Sequence, residues 1–238
     1  MWTRLIADLE TPVSAYLKLA DSQPYSCLFE SVEGGANIGR YSIIAWRPDL
    51  IWQAKDLKPS INRSPHLGTT DFAPDDRPTL DSLRALMAES RVAPEPSIPP
   101  VAVGGLFGYL GYDMVRHVER LPNHATADPL QTPDALMVRP RVMVVFDALR
   151  QEILAAAPVR PKEGEDPALQ VDAARRRIEA VFARLDAPAP IQTERKPTPP
   201  ETPQSNMSDE AYRAAVDAGK RYIRAGDVFQ VVPSQRFT

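Results

Sequence analysis

The chain has 238 residues, of which 43% are hydrophobic, and its formal net charge is −3. This length is enough for one large domain or two small ones, each with its own core. Its 28 basic and 31 acidic residues create no net positive field, so neither nucleic acid nor an anionic membrane is an expected partner.

The single cysteine and the few histidines also limit the possible functions. Cys27 alone cannot form an internal disulfide or a zinc site, which favours a reducing, cytoplasmic location. The three histidines lack ligand spacing, so no metal site is expected among them. No apolar run approaches the roughly 18 residues that a membrane helix needs, so no membrane span is expected.

The first 55 residues predict a helix followed by a group of strands. Apolar side chains at positions 2, 5, 6 and 9 recur with helical spacing, and Thr11 with the proline after it either ends that helix or starts another. Residues 13–19 fit a short helix or a strand equally well. Residues 25–32, 40–46 and 49–55 then predict an antiparallel meander.

The predicted turn between the first two of these strands carries an unusual set of polar side chains. Glu30 and Ser31 stand at its entrance, and Arg40, Tyr41 and Ser42 stand at its exit. An acid, a cation and hydroxyl donors on one rim could hold a zwitterion, with Glu30 facing an ammonium and Arg40 forking onto a carboxylate. The alternative is a solvated ion pair between Glu30 and Arg40, which contributes roughly 0–1 kcal/mol.

The middle of the chain is predicted to alternate exposed segments with regular elements. Residues 58–77 are rich in Pro, Ser and Asp and predict an exposed excursion without regular structure. Thr79 is predicted to cap a helix that ends before Pro94. The glycine-rich residues 101–113 predict a strand turning into a helix whose bare face packs on a neighbouring backbone, because no Lys-Ser/Thr follows to make a phosphate loop.

The last hundred residues predict a hairpin, two helices and a linker. Residues 134–147 and 151–157 are predicted to pair as strands, and residues 168–185 repeat apolar positions at 3.6-residue spacing. Prolines then mark residues 186–206 as a linker. In residues 207–238, Ser208 is predicted to cap a helix that Gly226 ends, and residues 228–232 predict a strand.

Three segments of the sequence together resemble component I, the large chorismate-binding subunit of anthranilate synthase. They occur in the family's order and spacing, and the resemblance extends over essentially the whole chain. The segments are Leu28-Phe-Glu-Ser-Val-Glu-Gly-Gly with Gly39-Arg-Tyr-Ser, then Gly104-Gly-Leu-Phe-Gly-Tyr-Leu-Gly-Tyr-Asp113, and Ile223-Arg-Ala-Gly-Asp-Val-Phe-Gln-Val-Val-Pro-Ser-Gln-Arg-Phe237.

The resemblance implies an α+β fold of antiparallel β-sheets with outer helices, truncated at the start of the chorismate-binding domain. Residues 1–185 would be a regulatory and structural domain, 186–206 the linker, and 207–238 the beginning of the catalytic domain. Members of the family are lyases that convert chorismate and ammonia to anthranilate and pyruvate with Mg²⁺ in tryptophan biosynthesis. A glutamine amidotransferase subunit supplies the ammonia, which implies a hetero-oligomer.

The resemblance also implies where ligands bind. It places an L-tryptophan feedback site at the hairpin, and the catalytic and Mg²⁺-binding residues after Thr238, so that the chain alone is expected to be inactive. The large subunit of aminodeoxychorismate synthase and a non-catalytic amino-acid-binding module are the alternative functions, and a two-domain α/β protein is the alternative fold. The residues matched to the tryptophan site are Phe29, Glu30, Ser31, Arg40, Tyr41 and Ser42.

Overall fold

The computed structural model describes residues 1–6, 9–32, 38–93, 95–122, 128, 130–160, 164–190 and 202–238, and of residues 31, 32, 38, 100 and 103 only the backbone. The chain divides into two compact units, Met1–Ile191 and Gln192–Thr238. The roles assigned above to residues 1–185, 186–206 and 207–238 stay a prediction.

An eight-stranded antiparallel sheet forms the first unit within the described residues. Its order is β1-β8-β7-β3-β4-β5, with β2 also paired to β3 and β6 to β7. The predicted α+β class, with an antiparallel sheet and outer helices, is confirmed. The strands are β1 Trp2–Ile6, β2 Cys27–Val32, β3 Ile38–Lys55, β4 Lys58–Asn62, β5 Ala73–Pro74, β6 Phe107–Leu110, β7 Ala135–Asp147 and β8 Glu152–Ala156.

Within the described residues, the first unit also contains four α-helices and one 3-10 helix. They are α1 Pro12–Leu19, α2 Thr79–Glu89, α3 Pro100–Val103, the 3-10 helix Tyr112–His117 and α4 Pro167–Leu185. The second unit contains α5, Asp209–Ala225. Among the helices in the described ranges, none combines the length and apolarity that crossing a bilayer requires.

The long strands β3 and β7 pair from Tyr41↔Asp147 to Ala54↔Ala135 and form the centre of the sheet. Alternating residues face different clusters: Ile44 packs with α1 and α4, whereas Ile43 packs with residues of α3. Further along β3, Trp52 is fully buried under α2 and donates its indole N–H to Ser82 Oγ at 2.9 Å. Burying side chains of this size contributes roughly 1.5–3 kcal/mol each, so both faces of the sheet are stabilised.

Several helix ends form where the sequence predicts them. The Ser208 side chain accepts a hydrogen bond from the Ala211 N–H at the start of α5, and Gly226 ends that helix with a φ of 82°. Thr11 caps α1, which resolves the choice between helix and strand at residues 13–19. The predicted Thr79 cap is wrong: Thr79 is the first helical residue, and its hydroxyl donates to the Leu57 carbonyl at 2.6 Å.

Two predictions about the edges of the sheet are wrong. Residues 2–6 form strand β1 instead of a helix, because they pair with β8 from Trp2↔Ala156 to Ile6↔Glu152. The predicted excursion at 58–77 contains β4 and β5, which extend the sheet beyond β3. Both strands form through pairing with distant partners, which local spacing does not reveal. The predicted strands 40–46 and 49–55 are one strand, β3, with a register shift between Pro48 and Leu50.

The glycine-rich segment and the C-terminus also differ from prediction. Residues 101–113 run from the short helix α3 into strand β6 and a 3-10 helix, so a helix that was not predicted precedes the strand, and the strand begins only at Phe107. The predicted close backbone approach is nevertheless present, since a Cβ on Gly111 would lie 2.6 Å from the Asp134 carbonyl oxygen. Residues 228–232 form no strand, because no described strand pairs with them.

Candidate functional site

The candidate site is the edge of the sheet where β2 pairs with β3. Phe29 lies opposite Ile43 and Glu30 lies opposite Ser42, and the register shifts between Glu30 and Val32. The side chain of Ser31 and all of residues 33–37 lie outside the described part of the chain. The structure therefore locates five of the six predicted tryptophan-site side chains, and leaves the turn itself undescribed.

Arg40 binds a carboxylate that the sequence analysis did not include. Its Nε donates to Asp147 Oδ1 at 3.1 Å, and its Nη2 donates to Asp147 Oδ2 at 2.9 Å. Asp147 ends β7 and is buried, with 9% of its side chain exposed, whereas 43% of the Arg40 side chain is exposed. Asp147 Oδ1 also accepts the backbone N–H groups of Leu149 and Arg150. The pair therefore ties the start of β3 to the β7–β8 turn.

Aromatic rings border this ion pair. The guanidinium of Arg40 lies over the Tyr41 ring, with Cζ 4.8 Å from the ring centroid. Phe29 contacts Phe107 of β6, with 5.9 Å between ring centroids. Strands β2 and β6 are not hydrogen-bonded neighbours, so this contact means that the sheet curls toward itself here. Phe29, at 41% exposed, keeps part of its ring accessible to a ligand.

The register separates the predicted residues into two groups. Directly opposed residues of an antiparallel pair share a face, so Glu30 lies with Ser42, and Tyr41 lies with Asp147 on the other face. The alternative of a Glu30–Arg40 ion pair is wrong: the Arg40 fork is on Asp147, and the Glu30 carboxylate has no hydrogen-bond or ion-pair partner among the described residues.

The structure also corrects the expected geometry of a zwitterion clamp. The Nε/Nη2 edge of Arg40, which was expected to fork onto a ligand carboxylate, is occupied by a buried internal carboxylate. The two N–H groups of Nη1 and the second N–H group of Nη2 keep no partner in the described ranges. The sequence does not indicate that Asp147 pairs with Arg40, because the two residues are 107 positions apart and no local pattern at either one signals the contact.

Cys27, next to the site on β2, is an unreactive thiol in this environment. Burial raises its pKa to about 11, and its Sγ–H group donates to the Ala45 carbonyl at 3.6 Å. A thiol in this state holds almost no thiolate at neutral pH, so it is not a nucleophile. In the described part of the chain, no three histidine, cysteine or acidic side chains come together as metal ligands.

Asp147→Asn is expected to make the free energy of unfolding less dependent on pH in the acid range. The hydrogen bonds from Arg40, more than any other contact, hold the pKa of Asp147 below its ordinary value. The unfolded chain therefore takes up this proton first, and the stability that Asp147 contributes is complete above about pH 5 and lost as the pH falls toward the lowered pKa.

Urea unfolding between pH 7 and pH 3 measures this effect. Over the acid range, the free energy of unfolding of the variant should depend less steeply on pH than that of the parent. The difference in slope should correspond to the uptake of up to about one proton fewer on unfolding. Asp21→Asn is the matched control, because the exposed Asp21 carboxylate bonds to no described residue. Parallel pH profiles for Asp147→Asn and the parent would contradict the assignment of this ion pair.

Comparison with known proteins agrees with this fold and these segments. The sequence model of one protein family, which is described as chorismate binding enzyme, matches residues 26–238 of this chain. The chain belongs to this family. A curated relative in the family, anthranilate synthase component 1 of Cereibacter sphaeroides, is 43% identical over 238 residues, which cover 100% of this chain and 47% of that protein. The Thermus thermophilus component 1 is 39% identical over 236 residues, covering 98% of this chain and 46% of that protein.

A solved structure extends the comparison to three dimensions. The crystal structure of anthranilate synthase component I from Streptococcus pneumoniae has a TM-score of 0.62 and 25% sequence identity, and the match covers 99% of this chain and 48% of that chain. The resemblance noted in the sequence is thereby confirmed, and the match is to an N-terminal portion of component I. This chorismate-binding family member spans about half the length of the curated relatives it matches.

Proposed function

We propose that this chain is the N-terminal half of an anthranilate synthase large subunit, which converts chorismate and ammonia to anthranilate and pyruvate in tryptophan biosynthesis. The observation that carries the proposal is the 43% identity with a component 1 protein over 238 residues, which cover this whole chain. The family match over residues 26–238 supports chorismate as the substrate. We further propose that ammonia comes from glutamine through a separate amidotransferase subunit in a cytoplasmic hetero-oligomer.

Under this proposal, the described residues serve structure and regulation, and the chemistry belongs to the other half of the enzyme. Mg²⁺ would neutralise carboxylate charge on chorismate during loss of its hydroxyl group. Among the described residues, no three histidine, cysteine or acidic side chains meet as metal ligands. We propose that Mg²⁺ and the catalytic groups are held by the part of the relatives that this chain does not span.

The hairpin of β2 and β3 is proposed to bind L-tryptophan as a feedback inhibitor. Glu30 is available for the ligand ammonium, because its exposed carboxylate has no ionic partner in the described ranges. Arg40 supports the site mainly by holding β3 to Asp147, and its Nη1 donors can still meet a ligand carboxylate. Inhibition then requires that tryptophan favour a state with a less productive active site, which is allosteric coupling between two sites.

A hybrid enzyme tests the catalytic proposal. In this hybrid, the 238 residues replace the matching N-terminal portion of the Cereibacter sphaeroides relative, with which they align over the whole of this chain. With chorismate, ammonium and Mg²⁺, the hybrid is expected to form fluorescent anthranilate, and the 238-residue chain alone is expected to give no turnover above background. Turnover by the chain alone would contradict the assignment of the catalytic groups to the other half of the enzyme.

The same assay tests the alternative functions. Because the catalytic half of the hybrid comes from the relative, a folded hybrid that forms no anthranilate while the complete relative does would mean that these 238 residues do not complete an anthranilate synthase, which would favour one of the two alternatives. A folded hybrid that binds tryptophan by calorimetry but leaves chorismate unchanged would favour an amino-acid-binding module. The complete relative, assayed in parallel, is the positive control for the reaction conditions.

A further inference from the structure

A cavity of about 700 Å³ in the first unit is lined by five arginines, and none of them belongs to the β2–β3 hairpin. It lies where the middle of β7 meets the loop after β4, the end of α2 and the first half of α4. We call it the arginine cleft. Its arginines are Arg63, Arg139, Arg141, Arg160 and Arg177.

Two carboxylates in the cleft are already engaged by arginines. Arg139 donates from Nε to Asp49 Oδ1 at 2.7 Å and from Nη1 to Glu89 Oε1 at 3.0 Å. Arg63 forks onto the same Glu89 carboxylate at 2.9 and 3.0 Å. These contacts join β3, the loop after β4, α2 and β7, so they explain two of the five arginines as structural.

The other three arginines are not neutralised in this way. Arg160 reaches only one oxygen of Asp49, at 3.5 Å. Arg141 contacts His66 Nδ1 at 3.4 Å, and neither Arg141 nor Arg177 has an ion pair with a described carboxylate. Five arginines therefore line the cleft with three carboxylates, the third being Glu165, and the described lining carries an excess of two positive charges.

The charges of Arg160 and Arg177 are incompletely compensated by the surrounding protein. Nε and Nη2 of Arg160 are buried and have no hydrogen-bond partner among the described residues, and the same holds for Nε of Arg177. Because these atoms have almost no accessible surface, and Nη2 of Arg160 lies 3.6 Å from the position of a Cβ on Gly104, this edge of Arg160 faces the protein and adds charge behind the wall of the cleft. Burial lowers the pKa of both Arg160 and Arg177, which agrees with charges that lack compensation.

We propose that the arginine cleft binds a small oxyanion with two negative charges, either a phosphate monoester or a dicarboxylate. Arg141 and Arg177 would contact the oxyanion, and the nearby charge of Arg160 would add to its attraction. Two negative charges match the excess of the lining, and the cavity volume is typical of small-molecule sites. The proposal does not depend on the function proposed above, since it uses none of the hairpin residues.

The test compares anion binding by matched glutamine variants of the 238-residue chain. Inorganic phosphate, glycerol phosphate and malonate are titrated by calorimetry at constant ionic strength set with sodium chloride. Arg177→Gln and Arg141→Gln each remove a cleft charge without breaking an ion pair to a described carboxylate. Arg176→Gln is the control, because Arg176 is the exposed neighbour of Arg177 on α4.

The parent is expected to show saturable binding of at least one of the three anions. Arg177→Gln and Arg141→Gln should each weaken it roughly tenfold or more, since each removes a charge-assisted contact, and Arg176→Gln should change it less than about twofold. Binding of the two phosphates alone would identify a phosphate ligand, and binding of malonate alone a dicarboxylate. No saturable binding of any of the three, or equal weakening by all three variants, would overturn the proposal.

Thermal unfolding without added anion gives a second readout. Arg177→Gln should unfold at the same temperature as the parent or higher, because it removes a half-buried charge whose Nε has no partner among the described residues. Phosphate also stabilises proteins generally by exclusion from their surface. The contribution of the cleft is therefore the part of the phosphate-induced rise in Tm that is lost in Arg177→Gln and kept in Arg176→Gln. An identical phosphate-induced rise in Tm for the two variants would contradict the site.

Discussion

Glu30→Gln is expected to weaken tryptophan inhibition of the hybrid enzyme by about 10- to 100-fold, because a hydrogen bond between charged groups is worth roughly 1.5–3 kcal/mol. The substitution keeps the size and shape of the side chain and removes only its charge. Since the Glu30 carboxylate bonds to no described residue, the fold should not depend on it. Turnover without tryptophan should stay within about twofold of the parent hybrid.

Inhibition constants from anthranilate formation at increasing tryptophan measure this effect. Glu179→Gln is the matched control, because Glu179 lies exposed on α4 and makes the same change of charge. Arg40→Ala is a weaker test, since it would leave the buried Asp147 carboxylate without its main partner and disturb the strand end itself. An unchanged inhibition constant for Glu30→Gln would refute the tryptophan site at this hairpin.

Gly108→Ala is expected to destabilise the first unit by about 3 kcal/mol, at the upper end of the usual effect of overpacking. A Cβ at this position would overlap the Leu136 carbonyl oxygen and lie 2.9 Å from the Leu136 carbonyl carbon and 3.0 Å from Met137 Cα. The obstructing atoms are backbone of the central strand β7, so they cannot move aside as a flexible side chain can. For a domain of this size, the expected fall in Tm is about 6–12 °C.

The matched control for this prediction is Gly105→Ala, three residues earlier. A Cβ there would meet only Phe107 Cε2, at 3.8 Å, which is ordinary van der Waals contact. Its effect on the free energy of unfolding should therefore stay within about 0.5 kcal/mol. If calorimetry showed the same Tm for Gly108→Ala as for Gly105→Ala, the close packing of β6 on β7 would be wrong.

Features that depend on nearby residues could be predicted from the sequence. Ser208 and Gly226 mark the ends of α5 because a hydroxyl cap and a positive φ are local requirements. The hairpin of β7 and β8 and the helix α4 likewise show in periodicity alone. The glycines of residues 101–113 indicated close backbone approach, but not that a strand would make it.

Features that depend on distant partners could not be predicted in this way. The spacing of residues 2–9 suits a helix, yet pairing with β8 makes residues 2–6 a strand. In the candidate site, the polar residues of the hairpin stood out in the sequence and the resemblance matched them to a tryptophan site, but the role of Arg40 depends on Asp147, which reaches it only through the register of β3 with β7. The arginine cleft likewise collects side chains from residues 63 to 177, and no local pattern links them.

The central claim is that this chain belongs to an enzyme that makes anthranilate from chorismate. The most direct test is to quantify pyruvate and anthranilate in the same reaction of the hybrid enzyme with chorismate, ammonium and Mg²⁺. The account predicts that the two products form in equal amounts and that the 238-residue chain alone forms neither. A folded hybrid that forms neither product, while the complete relative forms both, would contradict it.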